Sequence, residues 1–380
     1  MKLTRIVHPI GFGAFYTEQF RNEAGNVVFT AIYDCGSTLK AGNEHIMEFC
    51  KSVDCIDALF ISHFHADHVS SLKKILETGK VKRLYIPQLT FDLQLESMLY
   101  TRAHDTFTDA WAVESVLNAL CGGDEHLFEG TDIFEVLQTT ADNIRESGVR
   151  EIPDDRIRAS IDVIAARKHY PSDGIEEVPD SDWEYRMLNV VLNPDCAKDL
   201  KNAITEKYED CSFDSVKRFV KELPYEYIKA IYRKYFSGNG YSMTVLSGPV
   251  QPNKRWQCDE NSRCHRFSLA LFHRSGCLYM GDFEKGSGDR NTMALKRYYT
   301  QQWDTLGMIQ VPHHGSIANH TNLLYENRLP FFCFVSSRQN DSKQLHPPPL
   351  TIVGICEQNS FVQVVTERVD SMIMTNYSIK

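Results

Sequence analysis

The chain has 380 residues, 42% hydrophobic and 24% charged, with a formal net charge of -9. That length and apolar share exclude a disordered or low-complexity protein and lead us to expect a single domain over 1–380, large enough for a sizeable core and for added helical segments. The acidic balance argues against tight nonspecific binding of duplex DNA, which depends on Lys and Arg neutralising phosphates; Lys73, Lys74, Lys80, Lys82 and Arg83 form one local basic patch that a solvated helix face also explains.

The N-terminus runs straight into Ile6-Val7-His8-Pro9-Ile10-Gly11, without the apolar run and small-residue cleavage site of a signal peptide. No window holds eighteen uninterrupted apolar residues. The expectation is a cytoplasmic protein with no membrane span. The eleven cysteines are an odd number without framework spacing and read as reduced thiols. Cys258, Cys264 and His265 lie close together but lack the further pair of ligands that a structural zinc site needs.

In chain order, Gly11-Phe12-Gly13-Ala14 and the β-branched, aromatic run Val27 to Tyr33 predict an opening hairpin or meander ending in Asp34-Cys35-Gly36. A helix is expected over about 43–52. A short buried strand over 56–62 then leads into His63-Phe64-His65-Ala66-Asp67-His68, an amphipathic helix over 69–76 and a strand over 81–87, making a βαβ unit. The pattern turns helical over 91–122. Strands are expected over 158–165 and 186–192. A charged helical stretch over 197–236, interrupted at Pro224, departs from the surrounding alternation of strands and loops. We therefore expect helical insertions at 91–125 and 195–237, the second offering a surface to a protein partner. Trp111, Tyr225, Tyr227, Tyr232 and Tyr235 read as core packing. Strands over 241–246, 267–272, 277–282, 308–311, 331–336 and 361–366 complete the chain, with a helix over 291–303.

Three histidines and an aspartate within six residues, where a strand has ended and a helix begins, are hard to explain as a plain loop. Alternate residues of an extended segment point the same way, so His63 and His65 can grip one cation while Asp67 and His68 turn to a second position. Imidazole and carboxylate suit Zn²⁺, and at matching geometry Mn²⁺ or Fe²⁺.

This hexad resembles the signature of the metallo-β-lactamase superfamily. More narrowly, Gly11-Phe12-Gly13-Ala14, Ser242, Leu278 to Asp282, Pro312-His313-His314-Gly315-Ser316 and His346-Pro347 resemble the soluble hydrolase domain of ComEC-type DNA-uptake proteins. The resemblance implies an α/β fold, an αββα sandwich of two mixed β-sheets flanked by helices. It also implies one or two Zn²⁺ ions. His63 and His65 would hold the first and Asp67 and His68 the second, with Asp282 bridging. His313 or His314 would complete the second site; we favour His313, the first residue past the strand, which leaves His314 for substrate. Asp34 matches a position that supports the hexad loop through hydrogen bonds. The superfamily's further histidine between the hexad and the Gly-Asp, third ligand of the first ion, has no counterpart except His169, in an unpromising context.

The expected chemistry is hydrolysis by water that a bound cation has made acidic. A phosphodiester, from a nucleic acid or nucleotide, would be the substrate, with Asp67 or Asp282 orienting the water and His314 or His346 assisting the leaving oxygen. Rival expectations are hydrolysis of a thioester, lactone or lactam, and a metal-stabilised binding or regulatory module without turnover.

Overall fold

The computed structural model describes residues 1–104, 107–123, 125–145, 148–149, 167–170, 174–191, 194–236, 240–250, 256–259, 274–339 and 347–379. Two mixed sheets form its centre. The first runs from edge to edge through Trp256–Cys258, Ile373–Ile379, Lys2–Val7, Gly13–Arg21, Val27–Ser37, Ala58–Phe60, Arg83–Pro87, Asp132–Val136 and Arg167–Tyr170. Pairing is antiparallel up to Val27–Ser37 and parallel beyond it. The second runs through Ile175–Glu177, Trp183–Leu188, Thr244–Pro249, Gly276–Tyr279, Leu306–Gln310, Phe332–Ser336 and Phe361–Val365. There pairing changes from antiparallel to parallel at Gly276–Tyr279.

The alternation of side chains along each strand makes these sheets a sandwich. Phe29, Ala31 and Tyr33 meet Tyr185, Met243, Tyr279, Phe332 and Phe334 in one core between the sheets. The intervening Ile32, with Leu59, Leu84 and Ile86, faces a second core lined by helices. On the other sheet Leu278, Ile309, Cys333 and Val335 pack outward with Leu295, Tyr298 and Ile355, from the helices Arg290–Tyr298 and Pro349–Glu357. The layers are therefore helix, sheet, sheet, helix, as the resemblance implied.

The interior between the sheets is not wholly apolar. Glu18, 2% exposed, accepts from Arg5 Nε at 2.6 Å, Ser247 Oγ at 2.6 Å, Tyr185 Oη at 2.7 Å and Tyr279 Oη at 2.8 Å. Both sheets contribute to this network. A buried charge that is paired and hydrogen-bonded on this scale is tolerable, whereas either partner alone is costly.

Helices Phe91–His104 and Phe107–Asn118 occupy the first predicted helical stretch, and Lys198–Tyr208, Phe213–Glu222 and Tyr225–Tyr235 the second. Phe213, Val216 and Val220 give the middle one an apolar stripe, and Ser212 caps it through the amide of Ser215. Pro224 is the N-cap of the last, which accounts for the break in the pattern. Both groups join the core over the first sheet, where Leu93, Leu95 and Leu99 lie in one cluster with Ile204, Val216 and Ile228. Tyr225 and Tyr227, read from sequence as core, are 55% and 57% exposed: the helix turns its apolar stripe inward on Ile228 and leaves these two rings outside.

Two other expectations change. The helix expected over 69–76 is two short helices, Ala66–Val69 and Leu72–Leu76. Ser70 Oγ and Ser71 Oγ both donate to Asn43 Oδ1 between them, at 2.7 and 2.8 Å, which draws the chain aside. Part of the basic patch has structural partners: Lys80 Nζ donates to the carbonyls of Cys50, Lys51 and Val53 at the end of helix Lys40–Ser52, and Lys82 pairs with Asp57 at 2.8 Å. The strands expected over 158–165 and 267–272, together with Cys264 and His265, lie outside the described residues. No helix among the described residues is long and apolar enough to cross a membrane.

Candidate metal centre

The hexad begins three residues beyond strand Ala58–Phe60, with His65 as the N-cap of Ala66–Val69. Parallel strands end together, so this loop meets the ends of Val27–Ser37 and, across the sandwich, of Gly276–Tyr279 and Leu306–Gln310. Gly36 is required by that approach: a Cβ there would lie 2.6 Å from the backbone of Asp67 and His68. Gly281, at φ +52°, is required likewise, since a Cβ would meet Ser62 and Ser242 at 2.5–2.6 Å.

Asp34 is fully buried with φ 54°, a left-handed conformation that Asp tolerates better than most residues. Its Oδ1 accepts from the Ser62 amide at 2.7 Å, and its Oδ2 from Ser62 Oγ and from His68 Nδ1, both at 2.8 Å. Asp34 thus ties the strand end to both ends of the hexad loop.

Each ring of the cluster has one nitrogen held and one turned inward. His63 Nδ1 lies 2.9 Å from Ser62 Oγ, whose own proton goes to Asp34, so that oxygen accepts and His63 Nε2 faces the interior. His65 Nε2 is 3.0 Å from Glu96 Oε1, which leaves Nδ1 inward. His68 is held at Nδ1 by Asp34, and His314 at Nδ1 by the Ser336 carbonyl, 3.0 Å away. His63 Nε2, His65 Nδ1 and His68 Nε2 are buried and make no hydrogen bond. Fixing one ring nitrogen with an oxygen partner is how proteins orient an imidazole toward a metal.

The inward atoms converge. Asp282 Oδ1 is 3.3 Å from His68 Nε2, and its Oδ2 is 3.5 Å from His63 Nε2 and 3.8 Å from His313 Nε2. Asp67 Oδ2 is 2.9 Å from His314 Nε2 and 3.6 Å from His68 Nε2. Two groups, His63 with His68 and Asp282, and Asp67 with His68 and His314, are each compact and buried enough to hold a metal ion. The donor set fits such an ion, since carboxylates and imidazoles, the ligand types that suit Zn²⁺, are crowded together away from water.

Electrostatics point the same way. Burial alone would raise the Asp67 carboxyl, but His68 and His314 outweigh it and hold it well below the usual range. Asp282 is held low against burial by His313, His63 and His68. Burial brings His63 down to about 4, with His68 and His65 adding to the shift. His68 is raised despite burial by Asp67, Asp34 and Asp282, and His314 despite burial by its bond to Asp67. The carboxylates thus demand nearby positive charge, the role a bound cation fills.

Sequence order favoured His313 for the group with Asp67 and His68. It is His314 whose Nε2 lies there, its ring stacked on Phe12 with centroids 3.9 Å apart. His313 points instead toward Asp282 Oδ2. His169 lies on strand Arg167–Tyr170 at the sheet edge. His346 lies outside the described residues, and Cys258 is half-buried on strand Trp256–Cys258.

Glu96 and Tyr100 were not anticipated, and Tyr232 was expected only as core packing. Glu96, 2% exposed, accepts from His65 and, at 3.2 Å, from Tyr232 Oη. Tyr100 stacks on the His65 ring with centroids 3.5 Å apart and planes 2° from parallel. The available signal was the i, i+4 pair Glu96 and Tyr100 on one helix face. Glu284 faces the same region, its carboxyl raised to about 7 by burial and by the charge of Glu96.

Residues 29–183 match the family model described as Metallo-beta-lactamase superfamily. No curated protein matches the chain. Among solved structures it is similar to the metallo-beta-lactamase fold protein YhfI from Bacillus subtilis, at 12% identity and TM-score 0.23, over 50% of this chain and 54% of that one. It is similar to a long form RNase Z from yeast, at 10% identity and TM-score 0.37, over 89% of this chain and 36% of that one. A beta-lactamase domain protein from Burkholderia ambifaria matches at 14% identity and TM-score 0.23, over 49% and 44%. The chain therefore spans about half or less of the length of these solved chains. The protein has the metallo-beta-lactamase fold, residues 29–183 carry that superfamily's pattern, and buried His/Asp groups able to hold a metal ion lie where its strands end.

Proposed function

We propose that the protein is a metal-dependent hydrolase of phosphodiesters, with a nucleic acid or nucleotide as substrate. The observation that carries the reading is the division of Asp282, one carboxylate oxygen beside His68 and the other beside His63. That arrangement suits two cations sharing a carboxylate. Asp67, His68, His314 and Asp282 would hold one, and His63, His65 and Asp282 the other, with Zn²⁺ the best match to the donors and Mn²⁺ or Fe²⁺ compatible with them. A divalent cation so held lowers the pKa of its water from about 15.7 toward about 7 and polarises a phosphoryl oxygen.

The chain's own residues then have defined tasks. Asp67 and Asp282, both kept ionised, accept a hydrogen bond from the attacking water and set its direction. Asp34, Ser62 and Ser242 hold the imidazoles so that little rearrangement accompanies reaction. His313, 30% exposed, would assist the leaving oxygen, a role the sequence also offers to His346. With His314 among the ligands, it is not free for that role. The phosphodiester preference rests on the resemblance of Gly11 to Ala14 and Pro312 to Ser316 to ComEC-type hydrolase domains, and Phe12 of the first segment does pack on His314 of the second. The helical segments 91–125 and 195–237 are read as insertions that wall the site through Glu96, Tyr100 and Tyr232 and offer a face to a partner.

The test is turnover of bis(p-nitrophenyl) phosphate beside nitrocefin and a thioester, with added Zn²⁺ or Mn²⁺. The diester should be cleaved, and Asp67→Ala and His68→Ala should abolish cleavage while leaving the fold intact. Cleavage of nitrocefin or the thioester alone would favour the carbonyl-directed alternative, and metal content without turnover the binding module.

A further inference from the structure

Between the start of helix Phe91–His104 and the start of helix Lys198–Tyr208 lies a cavity of about 310 Å³. We infer that it is a subsite for a second phosphate of the substrate, on the nucleotide next to the scissile diester, held by Lys198 and Lys201. The inference rests on the phosphodiester reading above and deepens it: the preferred substrate carries an anionic group beyond the bond that is cut.

The cavity adjoins the metal centre. Asp92, which lines it, and Glu96, which accepts from His65, lie one turn apart on the same helix. They share a face and are about 6 Å apart along the axis. Gln88 and Thr90, which also line it, follow strand Arg83–Pro87, the parallel neighbour of the strand that leads into the hexad.

Its donors have no other work. Lys198, Lys201 and Asn202 present one face of their helix to the cavity, at i, i+3 and i+4 spacing. Lys198 is exposed and Lys201 half-buried. Neither ammonium makes an ion pair or a hydrogen bond among the described residues. Lys201 Nζ rests 5.8 Å from the Phe91 ring centroid, a cation–π contact that holds the ammonium beside the cavity without neutralising it. By contrast Lys207, Lys217, Lys221 and Lys234 of the same helical group each reach a carboxylate. Thr90 adds a third donor. Its Oγ1 accepts from the Leu93 amide at 3.3 Å and from Gln138 Nε2 at 3.4 Å, so its own proton is left for a ligand. Gln138 is fixed in turn by the bond from its backbone amide to Gln88 Oε1, at 3.0 Å.

Two carboxylates, Asp92 and Asp195, line the cavity as well and pair with neither lysine. Asp92 is 5% exposed and accepts from the amides of Cys196 and Ala197, and its Oδ2 makes no hydrogen bond. A bare anion has no use for these oxygens. A nucleotide does, because its phosphate meets the lysines and Thr90 while sugar hydroxyls or base N–H groups meet the carboxylates. The volume is at the lower end of the roughly 300–1,000 Å³ of small-molecule sites, which suits a single nucleotide.

The experiment uses the full chain with Zn²⁺ and three substrates: thymidylyl-thymidine, and the same dinucleotide with a terminal phosphate at its 5′ or its 3′ end. Wild type should cleave one phosphorylated form with kcat/KM at least about tenfold above the plain dinucleotide, chiefly through KM, the factor expected for a hydrogen bond to a charged group. The double variant Lys198→Gln and Lys201→Gln, which keeps good helix formers, should lose that preference. Metal-free wild type should bind thymidine 3′,5′-bisphosphate in calorimetry, and the variant should bind it at least about tenfold more weakly, a readout independent of turnover. Thermal unfolding and zinc content matching wild type would show that the variant keeps its fold and its ions. Cleavage of the dinucleotides with the same preference in wild type and variant, or with none in wild type, overturns the subsite and leaves the hydrolase reading standing. Lysine-dependent binding of the bisphosphate with no effect of the attached phosphate on cleavage makes the cavity a site for a separate anion and overturns the substrate role. Failure to cleave any of the three, or bis(p-nitrophenyl) phosphate, overturns the phosphodiester reading and the subsite with it.

Discussion

Replacing Glu96 by alanine tests whether the helical layer holds the metal centre in shape. The change deletes the acceptor of His65 Nε2 at 3.0 Å and of Tyr232 Oη at 3.2 Å, while Tyr100 continues to stack on the imidazole. His65 then keeps its plane but loses the partner that fixes its proton on Nε2, and the tautomer with Nδ1 protonated becomes accessible. Losses of this kind cost about 10- to 100-fold in metal affinity, or about 1.4–2.8 kcal/mol. Glu96→Gln, which keeps a carbonyl oxygen for both donors, should lose less. Tyr232→Phe, which removes one hydroxyl and leaves the His65 bond, should lose least. The assay is competition for Zn²⁺ with a chromogenic chelator, run beside thermal unfolding of the metal-free proteins. A Glu96→Ala variant that binds Zn²⁺ within twofold of wild type would refute the reasoning.

Other consequences follow from the same structure. Glu18→Ala leaves the Arg5 guanidinium buried without its carboxylate, and urea unfolding should show a loss of about 3–5 kcal/mol; a loss under about 1 kcal/mol would mean the network is not the anchor described. Gly281→Ala forces a Cβ at φ +52° into Ser62 and Ser242, and should cost more than about 1 kcal/mol and weaken Zn²⁺ binding; an unchanged melting temperature and affinity would contradict it. Burial and the neighbouring His45 push His8 well below its ordinary value. The unfolded chain therefore takes up a proton near pH 6.5 that the folded chain refuses, and stability falls as pH drops below that value, by at most about 1.4 kcal/mol per pH unit from this group. His8→Gln should flatten the fall between pH 7 and 5.5, and an identical slope in the variant would dismiss His8 as its source.

Some of the site could be read from the chain because it is local. His63 to His68 carry ligand types at alternating spacing, and the alternation of apolar and polar residues in Val27 to Tyr33 or Leu278 to Asp282 is the strand signature that builds the sandwich. What could not be read depends on direction or on distance along the chain. Which of His313 and His314 faces Asp67 is decided by two left-handed φ angles that no side-chain pattern announces. Glu96 reaches His65 across 31 residues and Tyr232 across 136, so no local window contains the triad. The two serines that divide the helix after the hexad act through Asn43, on a helix that precedes it. Tyr225 and Tyr227 looked like core because aromatic residues usually are, and only the turn of their helix about Ile228 places them outside.

The most direct test of the central claim is anomalous diffraction at the zinc edge from crystals of the full chain grown with Zn²⁺. The account predicts peaks within about 2.0–2.3 Å of Asp67, His68 and His314 at one position, and of His63, His65 and Asp282 at the other. A map with density at neither position, from crystals whose protein still cleaves the phosphodiester, would contradict it.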